Sequence, residues 1–150
     1  MHVKMKRILL VEDDPNDVEL TLTALKEFNL ANEVVVVGDG AEALDFLFKR
    51  GAFSERANGN PAVILLDLKL PKISGIEVLK QIRESENLKM IPVVILTSSR
   101  EEKDLNEGYS LGTNAYVVKP LEFQQFLEAI KQLGAFWALI NEPPPGSVTK

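Results

Sequence analysis

The residues able to do chemistry in this chain stand at the ends of apolar runs. Asp67 closes Pro61-Ala62-Val63-Ile64-Leu65-Leu66-Asp67, and Glu12 and Asp13 follow Arg7-Ile8-Leu9-Leu10-Val11. An unbroken apolar run with β-branched members fits a strand buried on both faces of a sheet, which delivers its next residue to the carboxyl edge. A carboxylate at that edge needs either a cation partner or a reaction to perform. Gathering three of them is costly through mutual repulsion unless a metal ion is bound. Two further runs bring other groups to the same edge: one ends in Thr97-Ser98-Ser99, the other in Lys119-Pro120. Three acids, a hydroxyl and a lysine suit a hard cation such as Mg²⁺, with a phosphoryl group held between that ion and Thr97 and Lys119.

The elements that must position these groups alternate regularly. Strands are expected near 7–12, 33–37, 62–67, 92–97 and 115–118, and helices near 15–29, 40–50, 75–85, 100–110 and 121–139. Five βα units predict an α/β fold: a doubly wound parallel sheet with helices on both faces and right-handed crossovers. For that pattern the common strand order is 2-1-3-4-5, which puts the reversal between the first and third strands. Ligands bind outside the carboxyl ends at such a reversal, where Glu12, Asp13 and Asp67 are expected. Topology and acid placement agree on one location.

Local signals support these boundaries. Asp14 is a good N-cap, with Pro15 at the first helical position and Asp17 in the first turn. Ser99 and Glu102 have capping-box spacing for the fourth helix. Phe123, Phe126, Leu127, Ile130 and Leu133 follow helical spacing as the buried stripe of the last helix. The stretch from Lys49 to Asn60 is a long polar connection, and Pro143-Pro144-Pro145 stops the last helix and starts a tail over 142–150.

Composition bounds the remaining possibilities. At 150 residues the chain is expected to form one domain with a real core, and 45% hydrophobic with 26% charged residues is an ordinary globular balance. Twenty-two acidic against 17 basic residues, net charge −5, disfavour nucleic-acid binding. There is no cysteine, which excludes disulfides and thiolate chemistry, and the one histidine, His2, stands at the N-terminus, where it cannot anchor a triad or a zinc site. No signal peptide or membrane-spanning run is visible, so a soluble cytoplasmic protein is expected.

Four motifs in order, Leu10-Val11-Glu12-Asp13-Asp14-Pro15, Leu65-Leu66-Asp67-Leu68-Lys69-Leu70-Pro71 with Ser74-Gly75, Ile95-Leu96-Thr97-Ser98, and Gly112-Thr113-Asn114-Ala115-Tyr116-Val117-Val118-Lys119-Pro120, closely resemble the receiver domains of two-component response regulators. The likeness spans roughly residues 6–135, within a receiver unit expected over 1–141. It implies the flavodoxin-like (βα)5 fold and a phosphorelay switch in which Asp67 accepts a phosphoryl group from a sensor histidine kinase or a histidine phosphotransfer protein. It also implies that Asp13 and Asp67 ligate Mg²⁺ (or Mn²⁺) directly, Glu12 acts mainly through water, and the Lys69 backbone carbonyl completes the protein ligands. Thr97 would bond a phosphoryl oxygen, Lys119 would pair with it, and Ser98 would flank the site. Thr97 and Tyr116 would form the switch pair, and the Lys119–Pro120 bond would be cis. Glu12 departs from the commoner aspartate by one methylene. The 49–61 connection and the ending Phe136-Trp137…Asn141-Glu142-Pro143 resemble the single-domain regulators paired with phytochrome-type kinases. Phe136, Trp137, Leu139 and Ile140 would serve either as packing of a terminal helix or as a homodimer surface.

Other functions fit less well. An aspartate-nucleophile phosphatase needs a second acid two residues after its nucleophile, and that position is Lys69. A flavin or nucleotide binder needs free N–H groups in its first loop, where Glu12-Asp13-Asp14 would repel phosphate. An unphosphorylated pseudo-receiver adaptor would not need every chemical position filled, as it is here. The expectation is a switch rather than an enzyme, whose only chemistry is its own phosphorylation and dephosphorylation and whose output passes through protein contacts.

Overall fold

Residues 7–27, 34–56 and 59–119, with positions 124, 125, 128, 129 and 132, are described by a computed structural model of the chain. Five strands, β1 (Ile8–Val11), β2 (Val34–Val37), β3 (Val63–Leu66), β4 (Val93–Thr97) and β5 (Ala115–Val118), alternate with helices α1 (Pro15–Lys26), α2 (Gly40–Phe48), α3 (Gly75–Glu84) and α4 (Glu102–Ser110). All pairings are parallel and the order is β2-β1-β3-β4-β5, as the βα alternation predicts.

Period-2 alternation in the strands divides the core into two layers. Leu9, Val11, Ile64, Leu66, Val93 and Ile95 point to one face, against Ala43, Leu44 and Leu47 of α2 and Val78, Leu79 and Ile82 of α3. Ile8, Leu10, Val63, Leu65, Val94 and Leu96 point to the other, against Ala24 and Leu25 of α1. β1, β3 and β4 are buried along their whole length, which is why they read as unbroken apolar runs.

The strand register builds the functional edge. Val11 pairs with both Val37 and Leu66, so the residues that follow, Glu12 and Asp67, leave the sheet side by side. The Asp67 amide donates to the Val11 carbonyl at 3.0 Å and continues the ladder one step past the strands. On the other side Thr97 pairs with Val118, and the Lys119 amide donates to the Thr97 carbonyl.

The start of α1 follows its expected chemistry, and side chains cap α2 and α3 as well. The Asp14 side chain accepts from the Asn16 and Asp17 amides, with Pro15 at the first helical position. At the start of α2 Asp39 accepts from the Glu42 amide at 2.7 Å, and the Glu42 side chain reaches back to accept from the Gly38 amide, one residue before the cap, at 2.8 Å. Ser74 accepts from the Glu77 amide to start α3. Gly75 is required there, because a Cβ at that position would lie 2.2 Å from the Asp67 carbonyl oxygen.

Two local expectations are corrected. The capping box on Ser99 and Glu102 does not form: α4 begins at Glu102 behind Glu101, which makes no side-chain cap. Ser99 stands too far upstream of the first helical turn, and its hydroxyl instead accepts from the Glu101 amide and donates to the Asp104 carboxylate. Helix α2 stops at Phe48 rather than 50, because Lys49 turns left-handed (φ 57°) and its amide and that of Arg50 close back on the helix. The polar connection after it is partly ordered by a short 3-10 turn, Gly51–Phe53, and by Arg56. The Arg56 guanidinium donates to the Phe46 and Gly59 carbonyls and lies 4.4 Å over the Phe46 ring.

The expected last helix over 121–139 falls on residues of which only scattered positions are described. Its stripe of Phe123, Phe126, Leu127, Ile130 and Leu133, the surface of Phe136, Trp137, Leu139 and Ile140, the tail 142–150 and Pro120 of the Lys119–Pro120 bond all lie outside the described residues. Among the described residues no helix is long and apolar enough to cross a membrane.

Candidate functional site

The three acids expected to meet do meet. One carboxylate oxygen each from Glu12, Asp13 and Asp67 lies within 4.8 Å of the others. Glu12 and Asp67 are buried, whereas Asp13, one residue further along the β1–α1 loop, is exposed. Asp67 Oδ1 accepts from the Lys69 amide at 3.2 Å, which bends the loop after β3 back over the site. Glu12 Oε2 accepts from the Asp14 amide at 3.2 Å, so the cap of α1 and the site share one turn.

Lys119 reaches this cluster from the end of β5. Its ammonium lies 2.7 Å from Glu12 Oε1, 2.8 Å from Asp17 Oδ2 and 3.5 Å from Asp67 Oδ2, with the residue 6% exposed. Burial by itself would lower the lysine. Its hydrogen bonds to Asp17 and Glu12 and the negative charge of Asp67 outweigh burial and raise it above the ordinary lysine range. The ammonium is therefore charged in the fold. Burial pushes the Glu12 carboxyl up to about 7, with Asp67 adding to the rise and Lys119 and the Asp14 amide opposing it. One ammonium thus faces three carboxyl groups, Glu12, Asp17 and Asp67, and a fourth, Asp13, converges with Glu12 and Asp67 on one point.

That donor set fits a hard divalent cation: all-oxygen, anionic, partly desolvated, and open to water on the Asp13 side. A bound dication would favour the ionised form of Glu12 that burial disfavours.

The other expected residues stand nearby with different partners. Thr97, at the end of β4, is fully buried, and its hydroxyl accepts from the Ser99 amide at 3.3 Å. Ser98 is exposed beside it, and Lys69 is exposed, as expected for a residue whose role would lie in its backbone. Tyr116 is half-buried against the core, and its phenol donates to the Ser99 carbonyl at 3.0 Å. Its ring also stacks on Tyr109 of α4, with centroids 6.4 Å apart.

Asp17 was not expected in the site; its place in the first turn of α1 was accounted for by the helix terminus alone. The available signal was positional. A helix that starts immediately after Glu12-Asp13 must begin at the same edge, so an acid one turn in remains within reach of it.

A model of the response regulator receiver domain family matches residues 8–131, nearly all of the chain. This protein belongs to that family. The receiver domain is similar to the response regulator Rcp1 of Synechocystis sp., with 38% identity over 132 residues, 88% of each chain. The Mn²⁺-bound structure of Rcp1 aligns with a TM-score of 0.85 at 37% identity, covering 93% of this chain and 99% of that one. The bacteriophytochrome response regulator RtBRR is 64% identical, with a TM-score of 0.75 over 95% of this chain and 86% of its own. The phosphorylated cyanobacterial phytochrome response regulator RcpA is 40% identical, with a TM-score of 0.81 over 88% and 93% respectively. The receiver domain is thus a response regulator module of two-component signalling with the flavodoxin-like order 2-1-3-4-5, and its relatives include regulators named for phytochromes.

Proposed function

We propose that this receiver domain accepts a phosphoryl group on Asp67 in a Mg²⁺-dependent reaction and signals through the surface that the modification changes. The observation that carries the reading is the convergence on Asp67: two further carboxylates with an oxygen within 4.8 Å, and the Lys119 ammonium at 3.5 Å. An Asp67 oxygen attacks the phosphorus of a phosphohistidine. The oxygen–phosphorus bond forms as the phosphorus–nitrogen bond breaks, and the electron pair leaves with the imidazole, which takes up a proton. Mg²⁺ held by Glu12, Asp13, Asp67 and the Lys69 carbonyl would neutralise charge on the transferring group. Lys119 donates to a phosphoryl oxygen.

The donor is a histidine kinase, and the likeness to RtBRR and RcpA, whose names refer to bacteriophytochrome and phytochrome, supports one of phytochrome type. Relatives described as phosphorylated and as Mn²⁺-bound support the chemistry. Lys69 supplies no acid to a leaving group, which speaks against turnover as a phosphatase.

The switch runs through named bonds. A phosphoryl group on Asp67 offers the Thr97 O–H a charged acceptor, and a hydroxyl drawn toward it pulls away from the Ser99 amide whose hydrogen bond it now accepts. Moving Ser99 disturbs the carbonyl that holds the Tyr116 phenol, and the ring turns inward. The altered face comprises α4 and β5.

The test is direct. The native chain, incubated with Mg²⁺ and acetyl phosphate, should gain a single phosphoryl adduct in intact mass, which should not form when a chelator is present from the start. An adduct of the same size on Asp67→Asn would sink the assignment.

A further inference from the structure

Lys119 spends its three N–H groups unevenly. Glu12 and Asp17 take short contacts at 2.7 and 2.8 Å, and Asp67, the residue that would carry the phosphoryl group, has only a contact at 3.5 Å. Glu12 and Asp67 belong to the acidic cluster that fits a divalent ion, but Asp17 does not. The lysine is therefore shared between two carboxylates that a metal would recruit and one that it would leave alone.

Resting on the phosphoacceptor reading above, we infer that Asp17 is a positioning residue for phosphoryl transfer. It holds the Lys119 ammonium from outside the metal cluster, so that metal binding at Glu12 frees an N–H for the phosphoryl group without freeing the lysine.

The geometry of α1 makes Asp17 a suitable tether. Asp14 caps that helix through the Asn16 and Asp17 amides, so the Asp17 backbone is fixed relative to the loop carrying Glu12 and Asp13. Its carboxylate is 29% exposed while the lysine side chain is 8% exposed, so the pair is more shielded than a surface ion pair. Lysine is a point charge on four flexible methylenes. Without Asp17 the strongest remaining partner is Glu12, and a lysine resting there competes with the metal and points away from the incoming group. With Asp17 present, loss of the Glu12 contact leaves the ammonium anchored beside Asp67.

If Asp17 only complemented the helix terminus, its removal would cost a little stability and leave rates untouched. Phosphorylation rates therefore distinguish the two roles. Native chain, Asp17→Asn and Asp17→Glu are incubated with acetyl phosphate over a series of Mg²⁺ concentrations, and adduct formation is followed by intact mass. In each turnover an Asp67 oxygen–phosphorus bond forms and the phosphorus–oxygen bond to acetate breaks, acetate leaving with the electron pair. The maximal rate at saturating Mg²⁺ should fall about tenfold in Asp17→Asn, the scale expected from misplacing one stabilising group. The half-saturating Mg²⁺ concentration should move by less than about threefold, and Asp17→Glu should recover most of the rate. Urea midpoints separate loss of rate from loss of fold. A native maximal rate in Asp17→Asn, or a loss that saturating Mg²⁺ removes entirely, overturns the positioning role while leaving the phosphoacceptor reading intact. Absence of any adduct on the native chain overturns both.

Discussion

The Tyr116 phenol donates to the carbonyl of Ser99, 17 residues earlier, and so ties the edge strand β5 to the loop that leaves β4 beside the site. The Ser99 amide is itself held by the buried Thr97 hydroxyl. One residue thus bonds to Thr97 through its N–H and to the edge strand through its C=O. Removing the phenol should stabilise the switched arrangement relative to the resting one. In Tyr116→Phe the resting protein should lose about 1 kcal/mol in urea unfolding. With Mg²⁺ and the beryllofluoride analogue of a phosphoryl group bound, the deficit should shrink toward zero. An equal deficit in both states would mean that the ring does not move.

Charge balance at the site predicts a metal-dependent mutational effect. Lys119→Met removes the cation shared by Glu12, Asp17 and Asp67, and breaking a buried ion pair in this way costs about 3–5 kcal/mol. Mg²⁺ at a hundred times its Kd stabilises the native chain by about 2.7 kcal/mol through mass action. It should stabilise the variant by more, because it supplies the missing positive charge. Thermal melts with Mg²⁺ and with chelator measure the difference, and identical Mg²⁺ increments in the two proteins would contradict the account.

Steric contact at the start of α3 gives a third prediction. An alanine methyl at Gly75 would press on the Asp67 carbonyl and on the Leu68 backbone, neither of which is the end of a flexible side chain. Gly75→Ala should cost about 1–3 kcal/mol by overpacking and also slow phosphorylation, because the carbonyl that must give belongs to Asp67, the proposed acceptor. Stability and adduct formation should fall together. Loss of neither would mean that the loop yields freely.

Asp39 provides a pH dependence away from the acidic cluster. The Glu42 amide holds its carboxyl below the usual 3.8 against an opposing effect of burial, with Lys72 at 3.4 Å adding to the lowering. A carboxyl depressed in the fold contributes stability above its unfolded pKa, and that contribution is lost as pH falls through the folded value. Asp39→Ala should therefore cost about 1 kcal/mol near neutral pH, the usual worth of an N-cap. The gap to the native chain should narrow as pH drops below 3.8. Denaturant titrations over that range decide it, and a gap that widens in acid would reverse the assigned sign.

Local chemistry determined the broad features of this molecule from its sequence alone. Apolar runs too uniform for a half-exposed sheet, the cap at Asp14, and the alternation of periods define a five-stranded parallel sheet and put Glu12, Asp13, Asp67 and Lys119 at its carboxyl edge, because those signals act over a few residues. What only the tertiary structure decided depends on register and on side-chain reach across distant segments. The pairing of Val11 with Leu66 sets the two acidic loops side by side, and the Lys119 side chain crosses to α1 to find Asp17. Ser99, read locally as a helix cap, instead joins Thr97 to Tyr116, since its amide and carbonyl meet partners that no spacing along the chain reveals. A residue's type limits the bonds it is able to make, and the packed sheet selects among them.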